Sequence, residues 1–231
     1  MIDLNFTYDV YKKILNNLKE NNYDFSFFED ESKGKKVYLR HDIDLDIIGA
    51  LNMAKIEHNM GINSTWFIMP NNRLYNIMNR DIIKILKEIT DMGHQLGLHI
   101  DASSYNSVKD LKNDLNKYYE FYKDKINLSK TFSFHIPNKE LFQNDIKIDG
   151  FTNAYDSKFF KEITYISDSN RREFLNEDRF PSALKNNKSM QLLIHPIWWN
   201  EKNILKEEIR DYLTKYLYDD LVDTSCKECL F

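Results

Sequence analysis

Short apolar runs separated by longer amphipathic stretches organise this chain. Tyr8 to Asn22 carries apolar residues at Val10, Tyr11, Ile14, Leu15 and Leu18, the stripe of a helix with one buried face. Val37 to Asp44 reads as a strand. Ile47 to Met60 reads as a helix, with Asp44 and Asp46 at its start and Gly61 just past its end. Ser64 to Met69 is a second strand, Asp81 to Met92 a helix stopped by Gly93, and His94 to Ile100 a third strand. Ser107 to Ile126 is a long helix, with Ser107 as N-cap and Asp110 in the capping-box position. Lys130 to Ile136 is a fourth strand, and Thr164 to Asp168 and Met190 to His195 are two more. Apolar residues at Ile204, Leu205, Ile209, Leu213, Leu217 and Leu221 predict a closing helix over Asn203 to Leu221. Strands alternating with helices predict a parallel α/β architecture. No repeat or low-complexity tract interrupts it. One domain over residues 1–231 is expected, with an N-terminal helical segment in 1–30 and a C-terminal helix and tail in 201–231.

The strands end on reactive side chains. Val37 to Asp44 ends on Asp42 and Asp44, His94 to Asp101 carries His99 near its end, Thr131 to Pro137 carries His135, and Met190 to Pro196 carries His195. In parallel α/β folds the carboxyl ends of the strands build the active site. Along the first strand Tyr38, Arg40, Asp42 and Asp44 share one face, and Leu39, His41 and Ile43 share the other. Two neighbouring carboxylates beside an arginine divide naturally into a cation ligand and a base; the competing assignment for Asp44 or Asp46 is the N-cap of the following helix. His94 and His99 are five apart and fall on opposite faces, which leaves His99 as the ligand candidate and His94 as a structural histidine bonded to backbone. His41 points away from the site, and His58 lies on the surface of its helix. Imidazoles at His135 and His195 suit metal binding or proton transfer near neutral pH. Trp198 and Trp199 follow directly, and one of the pair is expected to face a sugar ring while the other packs in the core.

Composition narrows the function. The 231 residues include 42% hydrophobic and 29% charged side chains at a net charge of -4, which describes an ordinary, mildly acidic globular chain. No basic stripe marks a nucleic-acid interface. The N-terminus lacks the basic and apolar regions of a signal peptide, and no run approaches the roughly 18 apolar residues of a membrane span. A cytoplasmic location is therefore expected. Cys226 and Cys229, as Cys-Lys-Glu-Cys, are read as free thiols of a frayed tail, with half a zinc site or a redox pair as the alternatives.

Between Val37 and Trp199 the chain resembles the NodB-type polysaccharide deacetylases, which remove acyl groups from N-acylated amino sugars. His41-Asp42-Ile43-Asp44 stands where that family has Thr-Phe-Asp-Asp, so the resemblance implies Asp42 as base and Asp44 as metal ligand. Gly93-His94-Gln95-Leu96-Gly97-Leu98-His99 is similar to the lead-in of the His-x-x-x-His motif and implies His99 as ligand. The second histidine position falls on Ser103, a departure that leaves the third ligand open between His135, Asp101 and none, the last with a weakly bound or absent metal. His135-Ile136-Pro137-Asn138 resembles Arg-x-Pro-Tyr with the arginine replaced. Leu193-Ile194-His195 resembles Leu-x-His and implies His195 as general acid, with Asp168 as the acid that orients it. Arg171 or Arg172 is the candidate to restore the lost arginine or bind an anionic group, and Arg40, Trp198 and Trp199 complete the expected substrate contacts.

The resemblance implies an irregular (β/α)7-type barrel, NodB-homology. It also implies metal-dependent hydrolysis of an N-acetyl or N-formyl group on an amino sugar or glycan precursor of surface-polysaccharide metabolism. The implied cofactor is a divalent metal, with zinc preferred over cobalt, manganese or nickel; the implied partner is a small sugar or glycan. Without a secretion signal, a nucleotide-linked or lipid-linked sugar is the expected substrate form. Two other readings stand beside this one: an inactive carbohydrate-binding relic of the same fold, and a metallohydrolase acting on a phosphoester or a non-sugar amide. A single visible cation site speaks against the phosphoester.

Overall fold

The computed structural model describes residues 5–135 and 145–214. Among the described residues eight strands form one wholly parallel sheet: β1 (Asp24–Phe25), β2 (Lys36–Ile43), β3 (Thr65–Ile68), β4 (Gln95–Ile100), β5 (Leu128–Phe134), β6 (Thr152–Asn153), β7 (Thr164–Ser167) and β8 (Met190–Ile194). Seven run in the order β6-β5-β4-β3-β2-β8-β7, and β1 pairs with the start of β2. The two end strands of this path, β6 and β7, do not pair with each other among the described residues. The expected seven-strand irregular barrel is thus present as a curled, open sheet. β1 and β6, two residues each, are too short to leave a periodic signal.

Helices α1 (Tyr8–Glu20), α2 (Ile47–Asn59), α3 (Arg80–Asp91) and α4 (Val108–Ile126) follow the predicted stripes, and short helices α5 (Ser157–Phe160) and α6 (Arg179–Lys185) fill the later connections. Their starts are fixed locally. Ser107 Oγ accepts from Asp110 N at 3.1 Å and donates to Asp110 Oδ2 at 2.7 Å. Asp46 caps α2 by accepting from Gly49 N at 2.7 Å, which frees Asp44 from that duty. The closing helix starts later than its apolar pattern predicts: helical backbone begins at residue 209, and residues past 214 lie outside the described set. In the non-helical stretch before it, the Arg171 guanidinium donates to Asn203 Oδ1 at 2.6 Å and to Ile204 O at 2.8 Å.

The large core lies between the sheet and helices α1 to α4. A smaller aromatic cluster of Phe28, Tyr38, Phe67 and Phe159 fills the concave side beneath the strand ends. Gly97 makes this possible, because a Cβ there would sit 2.6 Å from the Phe67 ring and 2.8 Å from Thr131 O. Among the described residues no helix is long and apolar enough to cross a membrane.

Candidate active site

Because the strands are all parallel, Asp42, Asp44, His99, His135, Asp168 and His195 meet at one end of the sheet. Alternation along β2 sends Arg40 and Asp42 to the concave side and His41 to the helical side, as the sequence predicts. Asp44, one residue past β2, is held by the loop after β3. Tyr75 Oη donates to Ile43 O, and Asn72 Nδ2 donates to Asp44 O, both at 2.7 Å. His135, one residue past β5, is tied to β4 by its N–H donating to Ile100 O at 2.9 Å.

Two imidazole nitrogens converge on one carboxylate oxygen. His99 Nε2 lies 3.1 Å and His135 Nδ1 3.0 Å from Asp44 Oδ1. That oxygen is buried and receives no hydrogen bond of proper geometry. Burial pushes the Asp44 carboxyl up, but His135 and His99 outweigh it and hold the group well below the usual carboxylate range. His135 is raised above its ordinary value, chiefly by Asp44. His99 Nδ1 is 2.7 Å from Ser133 Oγ. That contact orients the ring so that Nε2 faces Asp44. Two imidazoles and one carboxylate, whose buried oxygen is unbonded, are a donor set that could hold a divalent cation.

An acid flanks this group on one side and an imidazole on the other. Asp42, 2% exposed, receives Arg40 Nε at 2.9 Å and a terminal guanidinium nitrogen at 2.8 Å. Burial raises Asp42, and the Arg40 charge overcomes this and lowers it. His195 lies opposite, with Nε2 at 3.8 Å from Asp44 Oδ2 and Nδ1 at 2.6 Å from Asp168 Oδ1. Asp168, fully buried, also accepts from His195 N at 3.0 Å and from Trp199 Nε1 at 2.9 Å. Burial depresses His195, but the Asp168 carboxylate more than offsets it and pushes the imidazole up to about 9. A cleft of about 610 Å³ opens over Asp44, His99 and His135, walled by Asn72, Arg73, Asp101 and Tyr118.

Several expectations are corrected. The arginine on the acid is Arg40 itself, fully buried, with its guanidinium on both Asp42 oxygens and also on Gln191 Oε1 at 3.1 Å. Arg171 is spent on Asn203 and Ile204 and lies over the Phe6 ring. Arg172 pairs with Glu177 at 2.8 Å and does not line the cleft. Trp199 is fully buried against Phe6 and Tyr11, so it offers no ring face to a sugar. Trp198 is half-buried and lines a neighbouring groove rather than the cleft. Ser103 donates to Asp101 Oδ1 from both its N–H and its hydroxyl, so this pair closes on itself while His135 faces Asp44. His94 bonds Ala54 O at 3.0 Å, and His58 is exposed beside Met92 O, both as expected. Pro137, Asn138, Cys226 and Cys229 lie outside the described residues.

Sequence reasoning missed Glu57. This acid is fully buried and meets His41 Nε2 at 2.7 Å and Tyr11 Oη at 2.5 Å, with Ser64 Oγ donating to its other oxygen. The signal was there: Ile47, Ala50, Ala54 and Glu57 fall on one helical stripe, so Glu57 is an acid on an apolar face. Ser133, two residues before His135 on the same strand face, was missed as well.

No protein-family model matches the chain, and no curated protein matches its sequence. Its fold is similar to those of solved carbohydrate deacetylases and esterases. A family 4 carbohydrate esterase from Bacillus anthracis is 16% identical, with 92% of this chain and 86% of that one covered and a TM-score of 0.45. The chitin deacetylase of Colletotrichum lindemuthianum is 14% identical over 84% of this chain and 86% of that one, at a TM-score of 0.49. A CE4 family pseudoenzyme from Bacillus anthracis is 15% identical over 89% and 75%, at 0.44. At such identities the likeness concerns the path of the backbone and not the reaction.

Proposed function

We propose that this protein hydrolyses the N-acyl group, acetyl or formyl, of an amino sugar or glycan precursor, using a divalent cation held by Asp44, His99 and His135. The observation that carries this reading is the unbonded, buried Asp44 Oδ1 facing two imidazoles, between Asp42 on one side and His195 on the other. A cation held by these three residues would supply Lewis acidity toward the carbonyl and the attacking water. Asp42, fixed by two hydrogen bonds from Arg40, takes the proton of the attacking water. His195, kept protonated and in one orientation by Asp168, delivers a proton to the leaving amine. The cleft above the group admits a sugar ring and its substituents.

The direct test is release of acetate or formate from a panel of N-acetyl and N-formyl amino sugars, free and phosphate-linked, by protein loaded with zinc or cobalt. No release from any of them overturns the reading in favour of an inactive relic. Metal content tests the ligand set separately. His135→Ala is expected to weaken zinc binding at least tenfold, while Asp101→Ala leaves it unchanged, as read by competition with a chromophoric chelator. Equal losses would return Asp101 to the ligand set.

The His195–Asp168 pair sets a pH dependence. Proton delivery requires the imidazolium, which is present below about 9 and lost above it. Asp168→Asn removes the largest charge that opposes burial and leaves only Asp42 and Asp44 to offset it, so the alkaline limb of kcat/KM should move to lower pH. An unmoved limb would mean that His195 is not the acid.

A further inference from the structure

Beside the cleft runs a second groove of about 490 Å³, and the two share Leu74 in their walls. Leu74, Trp198, Ile209 and Leu213 make up four of its seven lining residues, and Thr214 offers the one uncharged hydroxyl. The other two are Lys206 and Arg210. On the cleft side of Leu74 stands Arg73. All three cations are exposed, and none has an ion-pair partner among the described residues. Exposed cations thus line both compartments that share the Leu74 wall, and the compartments differ in chemistry. One is polar and carries the proposed cation ligands; the other is apolar.

We propose that the groove holds the chain of a lipid-linked substrate: an N-acylated sugar joined through phosphate to a long alkyl or isoprenoid chain. This rests on the reading of the cleft as the deacylation site. The sugar occupies the cleft, the chain lies along Trp198, Ile209 and Leu213, and the connecting phosphate crosses at Leu74 between Arg73 and the Lys206–Arg210 pair. Charge complementarity selects the phosphate. The apolar lining selects the chain over a nucleoside, because a base would leave most of its hydrogen-bonding edge without a partner there.

Direct binding to the full-length protein, followed by tryptophan fluorescence and calorimetry, tests this without relying on turnover. Farnesyl phosphate is expected to bind at least tenfold more tightly than farnesol and than inorganic phosphate. Arg73→Ala, and Lys206→Ala with Arg210→Ala, should each weaken it at least fivefold; these side chains are exposed, so the fold is not at stake. Leu213→Asp should weaken it further, with its circular dichroism compared to wild type. UDP-N-acetylglucosamine binding more tightly than farnesyl phosphate would overturn the assignment in favour of a nucleotide-linked substrate. Farnesyl phosphate binding that ignores all of these substitutions would overturn the groove itself. The two readings fail separately. Release of acetate from soluble sugars without farnesyl phosphate binding sinks only the lipid proposal. Groove-dependent binding without any hydrolysis sinks only the deacylation site.

Discussion

Asp42→Asn is expected to lower kcat by about a thousandfold or more while zinc content stays at the wild-type level; loss of a positioned general base commonly costs about 10² to 10⁴ in rate. The two halves of this expectation come from different contacts. Asp42 lies outside the Asp44, His99 and His135 group, so the ligands survive the change. The amide, however, cannot take a proton, and it presents only one acceptor to the two Arg40 N–H groups that now reach both carboxylate oxygens. Steady-state kinetics on the released acid, beside metal analysis of the same preparation, checks both. Retention of more than a tenth of wild-type turnover removes Asp42 from the role of base.

Glu57→Ala should cost about 3–5 kcal/mol of stability, the usual order for removing a buried charged group and leaving its polar partners unsatisfied. In a chain of this size that corresponds to a Tm roughly 10 °C lower, at about 2–4 °C per kcal/mol. Burial alone would push the Glu57 carboxyl up, and His41, with its neighbours, holds it below the usual range. Removing it leaves His41, Tyr11 and Ser64 facing a void with no common acceptor. His41 stacks on Trp66 at 3.8 Å, and its other nitrogen already lacks a partner, so it has nowhere else to turn. Glu57→Gln, which keeps an acceptor, should lose clearly less. Urea unfolding of the three proteins measures the order; an alanine variant within 1 kcal/mol of wild type would show that Glu57 does not hold this network together.

Much of the site was legible because a strand alternates with period two. Placing Asp42 with Arg40, and His41 opposite them, needs only that rule, and it also separates His99 from His94. What period and spacing do not carry is which residue a long side chain reaches. Arg40, read as a substrate contact, folds back on the acid two positions away, and Arg171, read as an anion site, reaches 32 positions along the chain to Asn203. The tryptophan pair shows the same limit. Nothing local distinguishes Trp198 from Trp199, yet one is sealed against Phe6 with its N–H on Asp168 while the other borders a groove.

The sequence by itself determined the order of the six longer strands and of helices α1 to α4, the faces of β2 and β4, and the presence of acids and imidazoles at strand ends. Each of these follows from periodicities that act within a few residues. Tertiary structure alone decided the third ligand, the partner of the acid, and the burial of Glu57. Those depend on parallel registers that bring His135, Asp44 and His99 together from three strand ends, and on whether water or protein satisfies each polar group. A polar side chain's role is set by what it meets once solvent is excluded, and that meeting is between residues far apart in the chain.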